Sequence, residues 1–353
     1  MTSTVASTTP VFFARRLSST PLIFIAPNTR AMPIGPIGII APLLGCRRVH
    51  ALINVFWTLE NPKFRSNAVH AYRQHMANFP EHRLLFLCNT SREVALLQAE
   101  GLPASLCNYS LFVDENGFCI QPTADKAFDA VYVAVLRPYK RHQLCVDVPT
   151  LALIYYDPQI HISFSYFTEL QSLLPNATFI NKEYARQGMA RPLHRRAEEL
   201  INQVLARRLH VNLMPHQVAA GINRARVGLC LSEEEGAMIA SMEYLLCGVP
   251  VVTTVNRGGR DHFFDPSFCT TVAPDPPAVA RTVADLVRLA PSPETIRATV
   301  LEKVRHERRK LHDLLLGIFE TEGIMPRFAE AWREMPLGGL PPRWTVDRFI
   351  AGG

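Results

Sequence analysis

The sequence predicts an α/β protein of two domains, each built on a sheet of parallel strands. Three observations carry this. Short apolar runs rich in β-branched residues, at 21–26, 84–88, 127–136, 151–156, 177–180, 227–231 and 249–254, alternate with stretches of helical periodicity. One unit is complete: 227–231 reads as a buried strand, 237–247 as a helix closed by Gly248 with Pro250 behind it, and 249–254 as a second buried strand. Strand, helix, strand is a crossover that feeds a parallel sheet. Finally, 353 residues at 48% hydrophobic content suffice for two cores of ordinary size.

Residues 1–59 hold five arginines and no Asp or Glu. The first twenty are rich in Ser and Thr, as organellar transit segments are, but carry no evident amphipathic Arg-bearing helix. A ragged N-terminus ahead of a strand at 21–26 is the preferred reading, with targeting by 1–20 left open. Residues 32–44 are apolar but contain three prolines and two glycines, so they are too short and broken to span a bilayer. They suit a loop facing an interdomain cleft. Trp57, Asn61, Phe64 and Asn67 precede a helix carrying His70, Tyr72 and His75. After the strand at 84–88, a helix starts at the N-cap Ser91 and ends at Gly101. A strand is expected over 104–113, a turn over 113–118 and a linker over 122–126.

The strand at 127–136 opens the second domain. Helices are expected over 192–209, 214–225, 277–290 and 292–320. The last carries Arg305, Arg308, Arg309 and Lys310 among acidic residues, which favours a solvated face over a membrane-binding one. The tail, 336–353, has Trp344 and Phe349 as docking anchors. The divisions predicted are 1–125, 126–290 and 291–353, the last packing back on the first.

The net charge of +6 favours acidic ligands such as nucleotides, or an anionic membrane surface, and falls short of what would point to nucleic acid. The eight cysteines form no C-x-x-C pair and several lie in apolar runs. They read as small buried hydrophobes of a reducing, cytoplasmic compartment, not as a disulfide frame or zinc site.

The chemistry concentrates in the turn after the strand at 227–231. Gly236 lets the backbone approach a ligand, and the N–H groups of Gly236, Ala237 and Met238 point out of a helix N-terminus, which suits a phosphate. Glu235 lies at the mouth of the turn and Glu243 eight positions on, about two helical turns deeper. Lys140 follows the strand at 127–136, where a side chain projects into the crevice at the carboxyl ends of parallel strands. A fixed cation there suits a diphosphate leaving group.

Glu235-Gly-Ala-Met-Ile-Ala-Ser-Met-Glu243, with Ser232 before it and Cys247-Gly-Val-Pro-Val-Val and Gly258-Gly259 after it, resembles the E-x7-E region of retaining glycosyltransferases of the GT-B fold (group 1, family 4-like). Met238 departs from a second glycine in that pattern and Tyr244 from an alanine. Arg137-Pro-Tyr-Lys140-Arg141 resembles the family's G-R-L-x-x-x-K loop, in which Lys140 aligns with the family lysine while its arginine falls on Val135 and its glycine on Ala134.

The resemblance implies two Rossmann-like domains facing a cleft, with C-terminal crossover helices. It implies a hexosyltransferase acting with retention on a nucleotide-sugar donor and an unidentified acceptor, without metal or other cofactor. Lys140 and Glu235 are the implied catalytic pair. Gly236, Ala237, Met238, Glu243, Gly258 and Gly259 are the implied donor contacts, and Arg137 or Arg141 would supply the missing arginine charge. The family often places a first-domain histidine near the reacting sugar, for which His50, His70, His75 and His82 are all available. Two rivals stand beside this reading: another GT-B enzyme such as an epimerase or phosphorylase, and a degenerate module that binds without turnover, which the Val135 departure keeps open.

Overall fold

The computed structural model describes residues 11–156, 164–187, 212–335, 337–339 and 341–351. The helix expected over 192–209 lies outside these residues, as do residues 1–10 and parts of the tail.

The chain enters through β1 (Val11–Phe13) and then builds a five-stranded sheet in sequence order: β2 (Arg15–Ser19), β3 (Leu22–Pro27), β4 (Val49–Asn54), β5 (His82–Cys88) and β6 (Ala104–Leu106). β2 is antiparallel to β3, and the other pairs are parallel. The helices between them are α1 (Ile37–Leu44), α2 (Pro62–Asn78) and α3 (Ser91–Ala99). All six residues of β4 are buried, which is why the central strands read as continuous apolar runs without alternation. In β3 the pleat divides them. Leu22, Phe24 and Ala26 enter one core, whereas Ile23 and Ile25 enter the core shared with the second sheet.

The second sheet is wholly parallel. It contains β7 (Phe128–Val133), β8 (Leu151–Ile154), β9 (Ala177–Phe179), β10 (Ala225–Cys230), β11 (Val251–Thr254) and β12 (Cys269–Val272), in the spatial order β12-β11-β10-β7-β8-β9. Among the helices described with it are α4 (Phe164–Leu173), α5 (Ile180–Gln187), α6 (Pro215–Asn223), α7 (Ile239–Leu246) and α8 (Pro276–Leu289). β10, α7 and β11 form the predicted crossover, with Gly228 of β10 in register with Val251 of β11. Gly248 takes φ +71° behind α7, the left-handed C-cap expected of it.

The chain then returns. α9 (Pro293–Thr321) is capped by Ser292, whose hydroxyl accepts from the Thr295 N–H at 3.2 Å. Its buried Ile296, Val300, Val304, Leu311, Leu315 and Phe319 recur at helical spacing. Arg308 of its basic stretch pairs with Glu115 at 2.7 Å, so the face is not uniformly solvated. After α10 (Phe328–Glu334), β13 (Arg343–Thr345) pairs antiparallel with β1. In α11 (Val346–Ala351), Phe349 is fully buried against Phe12 and Phe24. The tail therefore docks on the first sheet through the expected anchor.

Several local expectations change. Thr90, not Ser91, caps α3, because its side chain accepts the Glu93 N–H at 3.0 Å. The strand over 104–113 stops at Leu106, since Asn108 turns the chain into a single 3-10 turn at Tyr109–Phe112. α2 starts at Pro62 under an Asn61 cap, which places Phe64 and Asn67 inside it. All eight cysteines are unbridged, and five of them are buried. Among the described residues, no helix is long and apolar enough to cross a membrane.

Candidate active site

Both sheets present the carboxyl ends of their parallel strands to a common cleft. From the second sheet, the chain leaves β10 through Ser232 and forms a turn that is tied to the loop after β11. The Glu235 N–H donates to the Arg257 carbonyl at 2.9 Å, and the Arg257 N–H donates to the Glu233 carbonyl at 2.9 Å. Gly258 takes φ +119° beneath the turn, where any Cβ would collide with the Glu235 carbonyl. The Gly259 N–H donates to the Gly236 carbonyl at 2.8 Å.

Gly236 has a packing role that its sequence neighbours do not reveal. A Cβ there would strike the backbone carbonyl of Phe56, which arrives from the first sheet. The glycine thus permits the two halves of the cleft to touch. Gly259 likewise packs against Asn89 of the first sheet. Both glycines, and Gly258 beneath them, shape the cleft wall.

Met238 occupies the left-handed region, φ +48°, so α7 begins at Ile239 and not at 237. This is the conformation a glycine would favour, which accounts for the family preference at that position. Among the described residues, no acceptor takes the N–H groups of Gly236, Ala237 or Met238. All three residues are buried.

Lys140 ends a single 3-10 turn, Pro138–Lys140, beyond β7. Tyr132 holds this turn by donating its hydroxyl to the Lys140 carbonyl at 2.6 Å. The Lys140 ammonium, 4% exposed, forms an ion pair with the Glu235 carboxylate, 5% exposed. The same carboxylate oxygen accepts from Ser232 Oγ at 2.5 Å. The two implied catalytic residues therefore stand in one buried network at the ends of β7 and β10.

The two flanking arginines differ. Arg141 turns inward at φ +54°, donating from Nε to the Leu231 carbonyl at 2.6 Å and from a terminal nitrogen to Thr254 Oγ1 at 2.8 Å. It braces the ends of β10 and β11. Arg137 is half-buried beside its own turn, with Leu136 O at 3.4 Å. Val135, at the family arginine position, is buried.

Glu243 is half-buried on α7 and has no hydrogen-bond or ion-pair partner among the described residues. Burial lifts its carboxyl to about 7. Tyr156, just past β8, is exposed. The neighbouring Tyr244 is fully buried. Its hydroxyl accepts the Val133 N–H at 2.6 Å, and its ring lies where a Cβ on Gly228 would be. The departure from alanine is thus a packing device, matched by a glycine in β10.

The first sheet contributes its own rim. Trp57 Nε1 donates to Glu234 at 2.7 Å, and Asn61 donates to the same carboxylate at 3.0 and 3.1 Å. Asn108 Nδ2 donates to the Gly259 carbonyl at 2.7 Å and Ser110 Oγ to the Ala237 carbonyl at 3.1 Å. The Trp57 and Tyr139 rings meet edge to face at 5.4 Å.

None of the four candidate histidines joins this group. His50 and His82 lie near the amino ends of their strands, away from the cleft. His50 pairs with Glu322 at 2.8 Å, while His75 and His82 bond each other at 2.9 Å. His70 is exposed on α2. The histidine that does lie close is His142, two residues after Lys140. It is buried and held down at about 3, by burial and then by Lys140, with Tyr166 Oη 3.1 Å away. Sequence reasoning passed over it and over Glu234. Glu234 sat in plain view in the acidic turn, but its partners come from a loop some 170 residues earlier in the chain.

No protein-family model and no curated protein matches the sequence. Solved structures do match. Anabaena HepE in complex with UDP-glucose aligns at TM-score 0.52 and 15% identity, over 88% of this chain and 78% of that one. Its complex with UDP gives 0.50 and 15%, over 83% and 78%. The sucrose-phosphate synthase of Thermosynechococcus elongatus gives 0.52 and 16%, over 76% and 68%. The fold is GT-B. The two sheets facing one cleft and the helix that returns to the first sheet are the expected architecture.

Proposed function

We propose that the protein is a retaining glycosyltransferase that uses a nucleotide-sugar donor, with UDP-glucose as the first donor to test because HepE is known with it. The observation that carries the reading is one constellation. A buried Lys140–Glu235 pair and three unengaged amides at 236–238 stand at the strand ends, with Glu243, which has no partner among the described residues, about one turn into α7. Amides and lysine suit a diphosphate, and a carboxylate without a partner suits a ribose diol.

In this mechanism the bond between the sugar anomeric carbon and the diphosphate oxygen breaks first. Lys140 and the 236–238 amides take up the charge growing on that oxygen. The acceptor oxygen bonds to the same face of the anomeric carbon, and its proton passes to the departing diphosphate. Glu235 holds Lys140 in place and, in this reading, accepts from a hydroxyl of the donor sugar. Glu243 binds the ribose. Arg137, at the rim, is the remaining donor contact, and no metal is required.

A thermal-shift screen with UDP, GDP, ADP and TDP and their sugars tests this directly, since a ligand of the folded state raises the melting temperature. A shift for UDP-glucose that disappears in Glu243→Ala supports it. NMR of the first product formed decides retention. A second reading, binding without turnover, is favoured by Val135, which puts a buried apolar side chain where the family has a cation. It predicts nucleotide binding with neither donor hydrolysis nor transfer.

A further inference from the structure

Lys140, Glu235, Arg141 and Arg260 are packed at the ends of β7, β10 and β11, with the exposed Glu233 facing Arg141. Lys140 and Glu235 cancel in their ion pair. Arg141 and Arg260 remain, and among the described residues neither forms an ion pair. Arg260 is the extreme case. Its side chain is 1% exposed, yet its terminal nitrogens meet neutral groups alone: the Ser232 carbonyl at 2.6 Å and hydroxyl at 3.0 Å, the Thr254 carbonyl, and Thr254 Oγ1 at 3.3 Å. Its Nε has no partner. A guanidinium in such a place loses its hydration and, among the described residues, meets the Glu235 carboxylate only through the Ser232 hydroxyl, an arrangement that a bound anion would improve.

The geometry of Arg260 also leads to the catalytic pair. Ser232 accepts from Arg260 and donates to Glu235, which holds Lys140. Orientation thus passes from Arg260 through a hydroxyl to a carboxylate and on to the ammonium. Val135 leaves the β7 side of this network without a cation of its own.

We infer that Arg260 is a positioning residue whose uncompensated charge is reserved for a bound diphosphate. It orders the Ser232–Glu235–Lys140 chain and supplies, from below, part of the field that holds the anion. This rests on the donor-binding reading above and extends it to a residue that no ligand touches.

The test is direct binding of UDP, uridine and inorganic pyrophosphate to the full-length protein, with melting temperatures recorded for every variant. Arg260→Gln should weaken UDP and pyrophosphate by about tenfold or more and leave uridine nearly unchanged. Arg260→Lys, which keeps the charge but not the two-sided brace, should hold the UDP-to-uridine ratio within about threefold of wild type. A purely structural arginine would move all three ligands together, or none of them, and either pattern overturns the inference. Should the glutamine variant not fold, a lysine variant of intact melting temperature that loses the ratio overturns it equally. The two readings fail separately. Wild type that binds pyrophosphate but no nucleoside diphosphate sinks the donor reading alone. An Arg260→Gln protein with an unchanged UDP-to-uridine ratio sinks this one alone.

Discussion

Replacing Glu243 by glutamine should make the protein more stable and a poorer binder at the same time. Burial raises this carboxyl from its ordinary 4.5 to about 7. The folded state therefore holds the proton more tightly than the unfolded chain does. Below about pH 4.5 both states are protonated and the site contributes nothing. As pH rises toward 7 the unfolded chain loses its proton first, so the folded state is progressively penalised, and above about 7 the penalty is constant. At 1.36 kcal/mol per pH unit the gap amounts to roughly 3 kcal/mol. The side chain is half-buried, and solvent screening reduces this to on the order of 1–2 kcal/mol. Glu243→Gln removes the ionisation. Urea denaturation at pH 4 should show the variant and wild type nearly equal, and at pH 8 the variant should be more stable by that amount. Nucleotide affinity should fall by about 1–3 kcal/mol, the value of a charge-assisted acceptor. Equal stability at both pH values would refute the buried-acid argument. Unchanged nucleotide affinity would remove Glu243 from the ribose site.

Lys140→Met should lower turnover by about a hundredfold, more than it lowers nucleoside binding, and destabilise the fold by about 3–5 kcal/mol because Glu235 is left buried and unpaired. Full turnover in single-turnover kinetics would exclude it from the leaving-group role. Gly236→Ala should cost about 1–3 kcal/mol in chemical denaturation, since its methyl group meets the Phe56 carbonyl, and wild-type stability would mean that this contact is loose. Tyr244→Phe should cost about 1–3 kcal/mol by leaving the buried Val133 N–H without an acceptor, and no loss would show that water replaces the hydroxyl. Glu307 is held down at about 2, burial opposing and His262 and Lys310 prevailing. Its stabilisation is present above about pH 4.5 and lost as pH falls toward 2, so Glu307→Gln should cost on the order of 1–2 kcal/mol at pH 7 and nothing near pH 2. A pH-independent difference in melting temperature would contradict it.

Much of the second sheet was legible because its information is local. β10, α7 and β11 lie within thirty residues, and Gly248, Pro250 and the two glutamates stand at spacings that a single βαβ unit sets. Lys140 could be read because a residue beyond a parallel strand must enter the crevice. What stayed hidden depended on distant chain. The packing roles of Gly236 and Gly259 are an example, since nothing near them in sequence reveals that Phe56 and Asn89 will press on them. Arg141 read as a free cation because its left-handed backbone, which turns it inward, is imposed by packing. The first-domain histidines were indistinguishable by sequence, and only strand direction separates the end holding His50 and His82 from the cleft.

The pairing of β1 with β13 has a consequence for the order of events during synthesis. Residues 343–345 leave the ribosome some 330 positions after residues 11–13, with which they pair. Phe349, which fills the first core between Phe12 and Phe24, emerges later still. The first sheet can gather as it is made, but its core stays open on one side until α11 has emerged. The second sheet lies wholly within the intervening chain and has every strand it needs much earlier. Of the two sheets, the one made first is thus the one finished last, and the cleft, which needs both walls, is completed only after α11 is in place.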